Sequence, residues 1–398
     1  MKVAQVTPYY HPSIGGVAGV AKYIAEELVN RGHEVDVITA YRDHKERPKL
    51  NAPRKEIING VNVYRYRSIL NIGHMSYMPG LIPHFIKNKY DVIHYHSYRH
   101  PLCDVSAFFG KIKGSVNILH SHGPFFERGE ISRLKHFLYD SYDKIASLTT
   151  LQWTDKIIAF NGYEINNYMR LVNDRNKIEL IYNAANPQSF QKYDTQDFIK
   201  KYGLENKKII LCLGILNASK RQDLLIEALP LIIKEVPDAF LILVGPDGGY
   251  LEKVNEAAKR LNMFQYFKYL GPISDLEKNQ AFDSAKLFTL TSDKDAYPLV
   301  IAEAMAHNLP VVATDARGPK DMIHDSIDGF VVPKRDIKAI ADAIIKLLKD
   351  DELRKKMGIN ARLNAEKNHS AIGAVDKLEK IYFELYNLKK KFVNGKNS

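Results

Sequence analysis

Short apolar runs rich in β-branched residues alternate with helical stretches along the whole chain, and this alternation restricts the fold more than any other sequence feature. The first series opens with VAQVT at Val3 and continues through EVDVITA, DVIHYH and SVNILHSH. After a polar stretch at 186–196, KKIILCLG opens a second series, followed by AFLILVG, KLFTLT, PVVAT and GFVVP. Strands that alternate with helices predict parallel sheets covered by helices. The repeat predicts two α/β domains, at 1–185 and 197–370.

Length and charge narrow the class of protein further. A chain of 398 residues is too long for one ordinary core, which agrees with two domains. Lys and Arg number 57 against 46 for Asp and Glu, a net charge of +11 that favours anionic partners such as nucleotides or phospholipid surfaces. A basic surface without a dedicated partner is the alternative. No nucleic-acid recognition motif accompanies the charge, so we predict no nucleic-acid partner.

The redox and membrane features of the sequence predict a cytoplasmic location. Only two cysteines occur, Cys103 and Cys212, too few for a disulfide framework. The N-terminus has no apolar segment of the signal-peptide type, and no apolar run approaches the roughly 20 residues of a spanning helix. We therefore expect a cytoplasmic protein that is at most peripheral on the inner face of the cell membrane.

The segment TSDKDAYPLVIAEAMAHNLPVVATDARG carries the strongest functional pattern. Pro298 suits the first turn of a helix, which would leave the amides of Leu299 and Val300 without intrahelical partners and able to bind a phosphate. Glu303, further along the same helix, could accept two hydrogen bonds from ribose hydroxyls, and Asp295 precedes it in the loop. The alternative is an amphipathic helix with a solvated glutamate.

Two other loops between a strand and a helix could contact a phosphate. Gly15 and Gly16 would let the backbone approach a ligand closely, although the dinucleotide-binding spacing is absent and a plain turn is equally compatible. Lys220 and Arg221 follow the strand that ends at Gly214 and could neutralise a leaving diphosphate. The alternative is a pair of solvated charges, although cations at a helix start are unfavourable without an anion.

Histidines cluster in DVIHYHSYRH and LHSHGPF. His94 and His96 share one face of a strand, as do His120 and His122, so a metal site is conceivable. No cysteine or glutamate completes a zinc-like set, and we predict no metal. A single histidine at the carboxyl end of a strand is the preferred interpretation, and His122 fits it best.

In this order, the motifs resemble the retaining glycosyltransferases of family four, which have the GT-B fold. The resemblance runs from PYYHPSIGGV through DVIHYH, HSHG, LGILNASKRQDLLIEAL and LVGPDG to DAYPLVIAEAMA with PVVATDARG. It implies two Rossmann-like domains facing across a cleft, with the acceptor on the first and the nucleotide-sugar donor mainly on the second. It also implies a final helix, at about 372–398, that crosses back to the first domain, and it implies no cofactor or catalytic metal.

The resemblance also implies roles for individual residues. Glu303 would bind the donor ribose, Asp295 would contact the donor sugar and Lys220 would contact the diphosphate. His122 would lie beside the transferred sugar, and the leaving phosphate oxygen would help to deprotonate the acceptor in a front-face substitution. Further donor contacts are implied for Gly15, Gly16, Arg221, Gly245, Pro298, Leu299 and Val300.

The sequence departs from the family pattern at several of these positions. Asp295 stands where the family usually has glutamate, and Ile215 replaces an arginine that contacts the diphosphate. Arg221 occupies the place of a common glycine and could compensate. Tyr182-Asn183-Ala184 replaces the usual Pro-Asn-Gly.

These departures keep alternatives to an active hexosyltransferase open. One is a non-catalytic GT-B scaffold that partners another glycosyltransferase, and another is a nucleotide-sugar epimerase on the same fold. For an active enzyme, we expect a glycan or lipid-linked acceptor in cell-surface polysaccharide or glycolipid synthesis. The segments KIKG and RLKHFLYDSYDKIASL could rest on an anionic membrane that presents such an acceptor, or could be ordinary amphipathic helices packed on the sheet.

Overall fold

The chain divides into two compact units, which we describe separately. Unit 1 comprises Met1–Asn183 and Ala371–Ser398, and unit 2 comprises Ala184–Ser370. The computed structural model describes residues 1–13, 15–41, 52–72, 75–126 and 131–394.

Unit 1 begins with alternating strands and helices, as the apolar runs predict. Its strands are β1 Lys2–Thr7, β2 Glu34–Ala40, β3 Lys55–Ile58, β4 Val61–Tyr66, β5 Ile69–Ile72, β6 Met75–Tyr77, β7 Val92–His96, β8 Val116–His120, β9 Lys156–Ala159 and β10 Ile178–Leu180. Its helices up to this point are α1 Gly16–Asn30, α2 Leu81–Lys87, α3 Pro101–Lys113, α4 Arg133–Leu148, α5 Thr150–Trp153 and α6 Gly162–Val172.

Eight of these strands form one sheet with the order β10-β9-β8-β7-β1-β2-β4-β3. All neighbours are parallel except β3 and β4, which form an antiparallel hairpin. The hairpin turn is Asn59-Gly60, whose φ values of 49° and 81° are the left-handed conformation that a two-residue hairpin turn requires. The sequence analysis did not predict β3 or the short antiparallel pair β5–β6.

Unit 2 repeats the alternation with a wholly parallel sheet. Its strands are β11 Lys208–Leu213, β12 Ala239–Val244, β13 Phe267–Tyr269, β14 Leu287–Leu290, β15 Val311–Thr314 and β16 Gly329–Val332. Its helices are α7 Gln196–Tyr202, α8 Asp223–Glu235, α9 Leu251–Leu261, α10 Asp275–Ser284, α11 Leu299–Ala306, α12 Arg317–Met322, α13 Ile337–Lys349 and α14 Asp351–Asn368.

The strand order of unit 2, β13-β12-β11-β14-β15-β16, is the 3-2-1-4-5-6 order of the Rossmann fold. The same order appears in the middle of the unit 1 sheet, from β4 through β2, β1, β7 and β8 to β9. The predicted α/β class with two Rossmann-like domains is confirmed. Ligands of such sheets bind beyond the carboxyl ends of the strands where the order reverses. Those switch points lie between β1 and β7 in unit 1 and between β11 and β14 in unit 2.

The helix α8 shows how the cores form. It buries Leu225, Ile226, Leu229 and Ile232 against the sheet of unit 2, together with Leu241 and Leu243 of β12. Each fully buried Leu or Ile side chain stabilises the fold by about 1.5–3 kcal/mol. This apolar packing holds the loops at the strand ends in fixed positions.

The last helix, α15, spans Ala371–Asn394 and belongs to unit 1. Its Glu379 pairs with Arg31 at 3.0 Å and with His33 at 2.7 Å, and its Lys389 pairs with Asp155 at 2.6 Å. Residues 395–398 of the predicted helix at 372–398 lie outside the described part of the chain.

Candidate active site

Two loops meet at the switch point of unit 2, and hydrogen bonds join them. The loop after β11 carries Ser219, whose carbonyl accepts from the amide of Asp293 at 2.8 Å in the loop after β14. The Ser219 hydroxyl donates to the Lys294 carbonyl at 3.0 Å, and Thr291 Oγ1 donates to the Arg221 carbonyl at 2.9 Å. These three hydrogen bonds hold the loop that carries Lys220 against the loop that carries Asp295.

Lys220 and Asp295 form an ion pair between Nζ and Oδ2 at this switch point. Both side chains are mostly buried, with exposed fractions of 18% and 13%. The structure thus brings together two residues that the sequence analysis singled out from motifs 75 positions apart. Their contact places a cation and a carboxylate at the edge of the sheet where a ligand is expected.

Arg221, the neighbour of Lys220, has a structural explanation. Its φ of 51° lies in the left-handed region, which suits the glycine that relatives have here. Its guanidinium donates both Nε and Nη2 to the buried carboxylate of Asp223, each at 3.0 Å. Arg221 and Lys220 are thus each paired with a carboxylate, and the compensation of Ile215 by Arg221 stays a prediction. Ile215 itself is 41% exposed.

The N-terminus of α11 has the features predicted for phosphate binding. Pro298 directly precedes the helix, and no side chain caps it. The first backbone bond at this end runs from the Ile301 amide to the Pro298 carbonyl, at 2.9 Å. Within the described part of the chain, the amides of Leu299 and Val300 donate to no group. Uncapped amides at a helix start attract anions.

Glu303 is on the first turns of α11, but sequence reasoning missed its partner. Lys278 of α10 donates to Glu303 Oε1 at 2.8 Å. Burial lowers the pKa of Lys278 and its contact with Glu303 raises it, with a raised pKa as the net result, so Lys278 is cationic. Among the described contacts, Glu303 Oε2 has no hydrogen-bond partner.

A second set of contacts fixes α11 against α10. His307, at the end of α11, lies 2.9 Å from Asp283 and 3.1 Å from Asn279, both on α10. The position of Glu303 is therefore set by three contacts with one neighbouring helix. A lysine on a polar helix gives no sequence signal for this contact, because in the sequence it looks like a solvated charge.

Close packing against neighbouring backbone requires glycine at two positions of the site. A Cβ on Gly245, at the end of β12, would lie 2.2 Å from the Gly214 carbonyl oxygen, so close packing at the strand ends requires glycine. Gly318 was missed by the sequence analysis. A Cβ there would lie 2.8 Å from the Ala296 carbonyl carbon, and its amide donates to the Asp295 carbonyl at 2.8 Å. Gly318 therefore supports the loop of Asp295.

In unit 1, the predicted glycine loop follows β1. Gly15 is the residue before α1 and Gly16 is its first residue, and no side chain caps this helix either. Their contribution to donor binding stays a prediction, as does that of Gly245.

His122 lies at the end of a stack of four imidazoles in unit 1. His94 and His96 are on β7, His120 pairs in register with His96, and His122 follows β8. The ring centroids of His94 and His96 lie 4.6 Å apart, and those of His120 and His122 lie 4.7 Å apart. His122 has a left-handed φ of 62°, a strained conformation for a non-glycine residue that is typical of functional sites.

Burial keeps this stack neutral. It lowers the pKa of His120 to about 3 and lowers the pKa of His94 and His96 well below the ordinary value. The pKa of the half-buried His122 is also lowered by desolvation and by its histidine neighbours. At neutral pH the stack therefore carries no charge.

Three of these rings also have the spacing of a metal site. The ring nitrogens of His94, His96 and His120 lie within 4.8 Å of one another. However, the rings are stacked nearly parallel, and all their nitrogens except His120 Nε2 have hydrogen-bond partners. This geometry is that of a hydrogen-bonded network, and the absence of a metal stays a prediction.

Unit 1 also contains a cavity of about 190 Å³ beside the segment that follows His122. Arg99 lines the cavity, and its guanidinium lies 4.6 Å from the Tyr139 ring centroid and pairs with Asp143 at 2.7 Å. The cavity combines aromatic rings with polar groups, a mixture suited to a polar organic ligand. Its lining includes Phe125, His136, Tyr139, Asp140, Asn167 and Arg170.

The fold and this edge chemistry define a GT-B glycosyltransferase. A solved structure with the same fold is that of Anabaena Alr3699/HepE in complex with UDP, with a TM-score of 0.77 at 18% identity over 96% of this chain and 100% of that chain. Family models match both units: Glycosyltransferase Family 4 over residues 14–189 and Glycosyl transferases group 1 over residues 194–364. The chain belongs to the family-four glycosyltransferases, as the sequence motifs predicted.

Curated relatives agree with this assignment. The N-acetyl-alpha-D-glucosaminyl L-malate synthase of Bacillus anthracis is 27% identical over 94% of this chain and 95% of its own length. A GDP-mannose-dependent alpha-(1-6)-phosphatidylinositol monomannoside mannosyltransferase of Mycolicibacterium smegmatis is 32% identical over 41% of this chain and 44% of its own length.

Proposed function

We propose that this protein transfers a hexose-type sugar from a nucleoside-diphosphate sugar to a glycan or lipid-linked glycan, with retention at the anomeric carbon. The observation that carries the proposal is the switch point of unit 2, where Lys220 and Asp295 meet beside the uncapped start of α11. A lysine cation and free helix amides suit a diphosphate that gains charge as the sugar leaves.

The diphosphate is bound by two kinds of donor. The amides of Leu299 and Val300 point out of the helix start, where the helix dipole favours an anion. Lys220 exchanges its Asp295 partner for the diphosphate, and this exchange frees the Asp295 carboxylate to accept from sugar hydroxyls. Together these groups supply the positive charge that the leaving group needs, and we expect no metal requirement.

The ribose is bound by Glu303. Lys278 occupies Oε1 and leaves Oε2 for the ribose hydroxyls, and the contacts between α10 and α11 keep the carboxylate in place. An ionised carboxylate only accepts hydrogen bonds, which matches two hydroxyl donors.

The reaction is a front-face substitution. The bond between the anomeric carbon and the diphosphate oxygen breaks, and the acceptor oxygen bonds to the same face of that carbon. The acceptor proton passes to the leaving diphosphate oxygen. His122 lies beside the transferred sugar in this proposal, and no protein nucleophile takes part.

The relatives support the substrate classes. The Anabaena structure contains UDP, and the Mycolicibacterium enzyme is named for GDP-mannose and a phosphatidylinositol mannoside acceptor. The acceptor of this chain belongs in the same broad class of cell-surface glycans and glycolipids. The aromatic and polar cavity of unit 1 is a candidate acceptor subsite.

The surface of α4 supports a peripheral association with an anionic membrane. This helix buries only Asp143 and Ala146 and leaves five large apolar side chains exposed. Lys135 and Lys144 also lie on α4 and can attract anionic lipids. No helix of the described residues is long and apolar enough to span a bilayer. The exposed large apolar residues of α4 are Leu134, Phe137, Leu138, Ile145 and Leu148.

Vesicle sedimentation tests this association. We expect binding to vesicles that contain anionic phospholipid, weak binding to neutral ones, and loss of binding in Phe137→Glu. Equal binding to both vesicle types would refute the role of charge. The matched control is Phe264→Glu on unit 2, where an exposed phenylalanine lies outside α4.

The test of donor binding is a thermal-shift panel of UDP, GDP and ADP sugars. A ligand that binds only the folded protein raises its stability, so we expect stabilisation by one nucleotide. Lys220→Ala should weaken that binding by about 10-fold or more, since a hydrogen bond to a charged group contributes about 1.5–3 kcal/mol. Lys338→Ala, which removes an exposed lysine paired with Asp342, is the control.

The panel also separates the alternatives. Silence across all nucleotides would favour the non-catalytic scaffold, for which Asp295 and Ile215 are the sequence argument. Binding with release of an epimer in the absence of acceptor would favour an epimerase. Unchanged affinity in Lys220→Ala would show that the switch point does not bind the diphosphate.

A further inference from the structure

A directional hydrogen-bond chain leads from Gln5 to His122. The Gln5 carboxamide oxygen lies 2.7 Å from His96 Nε2, and a carboxamide oxygen can only accept, so His96 carries its proton on Nε2. In a neutral ring, His96 Nδ1 is then an acceptor. It lies 2.8 Å from His122 Nε2, which must donate to it. The partners therefore assign the His122 proton to Nε2 and leave Nδ1 unprotonated.

The other side of Gln5 agrees with this direction. Gln5 Nε2 donates to the Tyr382 hydroxyl at 3.4 Å, and that hydroxyl lies 2.5 Å from His94 Nδ1. If the hydroxyl donates to His94 Nδ1, His94 Nε2 carries the proton and donates to His120 Nδ1 at 3.2 Å. Every ring has one consistent tautomer, and the chain ends at the buried, unpaired Nε2 of His120.

The free nitrogen of His122 is accessible. Its Nδ1 has no partner among the described residues, and it is not one of the buried atoms that lack one. His96 and Gln5 are fully buried, so solvent does not compete for the links behind it. The result is a fixed acceptor at the surface of unit 1.

We propose that Gln5 and His96 are positioning residues that hold His122 as a hydrogen-bond acceptor, so that the site selects a sugar with a hydroxyl at the point facing Nδ1. A hydroxyl donates to the lone pair, whereas a fluorine or a carboxylate at that point cannot donate and a hydrogen makes no bond. The identity of the ligand as a donor sugar rests on the proposed function, but the tautomer does not.

The first test is NMR on the whole protein labelled with ¹⁵N-histidine. We expect a proton on His122 Nε2, a bare Nδ1, and a scalar coupling across the hydrogen bond to His96 Nδ1. A proton on His96 Nδ1 or on His122 Nδ1 would reverse the chain and overturn the proposal. This measurement needs no variant and no substrate.

The second test compares two matched variants. His96→Phe removes the hydrogen bond to His122 and keeps an aromatic ring in the stack. His120→Phe makes the same change in the same stack, but His120 has a hydrogen bond only to His94. In His96→Phe we expect the coupling to vanish and His122 to exchange its ring proton faster, while His120→Phe keeps the wild-type pattern. An unchanged His122 proton in His96→Phe would refute the positioning role.

The third test measures selectivity with donor sugars in which single hydroxyls are replaced by hydrogen or fluorine. One replacement should lower kcat/KM by about 3- to 10-fold in the wild type, the effect of one neutral hydrogen bond. In His96→Phe that penalty should fall below about 2-fold, and His120→Phe should retain it. Equal penalties in both variants would overturn the selectivity. If no nucleotide sugar binds at all, the proposed function fails while the NMR result still decides the tautomer.

Discussion

Acidification should destabilise unit 1 strongly, because its histidine stack has to remain neutral in the folded state. His94, His96 and His120 are at most 1% exposed, and burial lowers the pKa of each. In the unfolded chain each titrates near its ordinary pKa of about 6.5. The unfolded state therefore binds more protons below pH 6.5, and stability is lost as the pH falls from 6.5 towards the folded pKa, which is about 3 for His120.

The magnitude follows from proton linkage. Each neutral buried imidazole costs about 1.4 kcal/mol per pH unit once the unfolded chain is protonated, so His94, His96 and His120 together cost about 4 kcal/mol per unit. Integrated from pH 6.5 to pH 5, the loss is about 5 kcal/mol. His122 and His84 of the same unit add to this loss, because burial lowers the pKa of both. Domains of this kind are stable by about 5–15 kcal/mol in total, so the loss is a large fraction of the stability of unit 1.

The chain has one tryptophan, Trp153 on α5, so its fluorescence reports on unit 1 alone. Urea unfolding followed by this signal at several pH values from 5 to 7.5 gives the slope directly. His120→Phe should lower the slope by about 1.4 kcal/mol per pH unit, since it removes one proton that only the unfolded chain binds. A wild-type slope below about 1.4 kcal/mol per pH unit would refute the buried neutral stack.

Three further predictions concern unit 2. Lys278→Met should raise the KM for the donor about 10-fold with a smaller change in kcat, because Glu303 loses the charged hydrogen bond that orients it, and steady-state kinetics at varied donor concentration checks this. Arg221→Gly should relieve a left-handed backbone strain of about 1 kcal/mol but remove the cationic partner of the buried Asp223 carboxylate, for a net loss of about 1–2 kcal/mol in urea unfolding; equal or higher stability would contradict a stabilising role of the Arg221–Asp223 pair. EDTA treatment should leave turnover unchanged, and loss of activity restored by a divalent ion would show that Lys220 and the helix amides do not suffice.

Much of the fold was predictable because parallel strands buried on both faces appear in the sequence as continuous apolar runs. The first-half runs VAQVT and EVDVITA became β1 and β2, and KKIILCLG became β11. The hairpin β3–β4 was missed because β3 reads KEII, a short edge strand in which Lys55 and Ile57 are exposed and only Glu56 and Ile58 are half-buried. Its turn signal, Asn59-Gly60, was present and could have been used.

The site was predictable where a loop motif follows a strand, and it was not where a partner comes from another helix. Lys220 and Asp295 were found because each lies in a strand-to-helix loop, and parallel strands bring such loops to one edge. Lys278 was missed because a lysine on a polar helix looks the same in sequence whether it is solvated or paired. The ion pair between Arg221 and Asp223 was missed for the same reason, since both are charged residue types that are usually solvated.

The two units differ in the electrostatics of the groups near their strand ends. Unit 2 places charged groups at its switch point, with Lys220 beside Asp295 and Lys278 beside Glu303. Paired charges can exchange partners with an anionic diphosphate at little desolvation cost, because the ligand replaces one anion by another. The histidine stack of unit 1 is uncharged, so His122 Nδ1 is a neutral hydrogen-bond acceptor. The two sheets share a strand order but carry different chemistry near their strand ends, with paired charges in unit 2 and neutral imidazoles in unit 1.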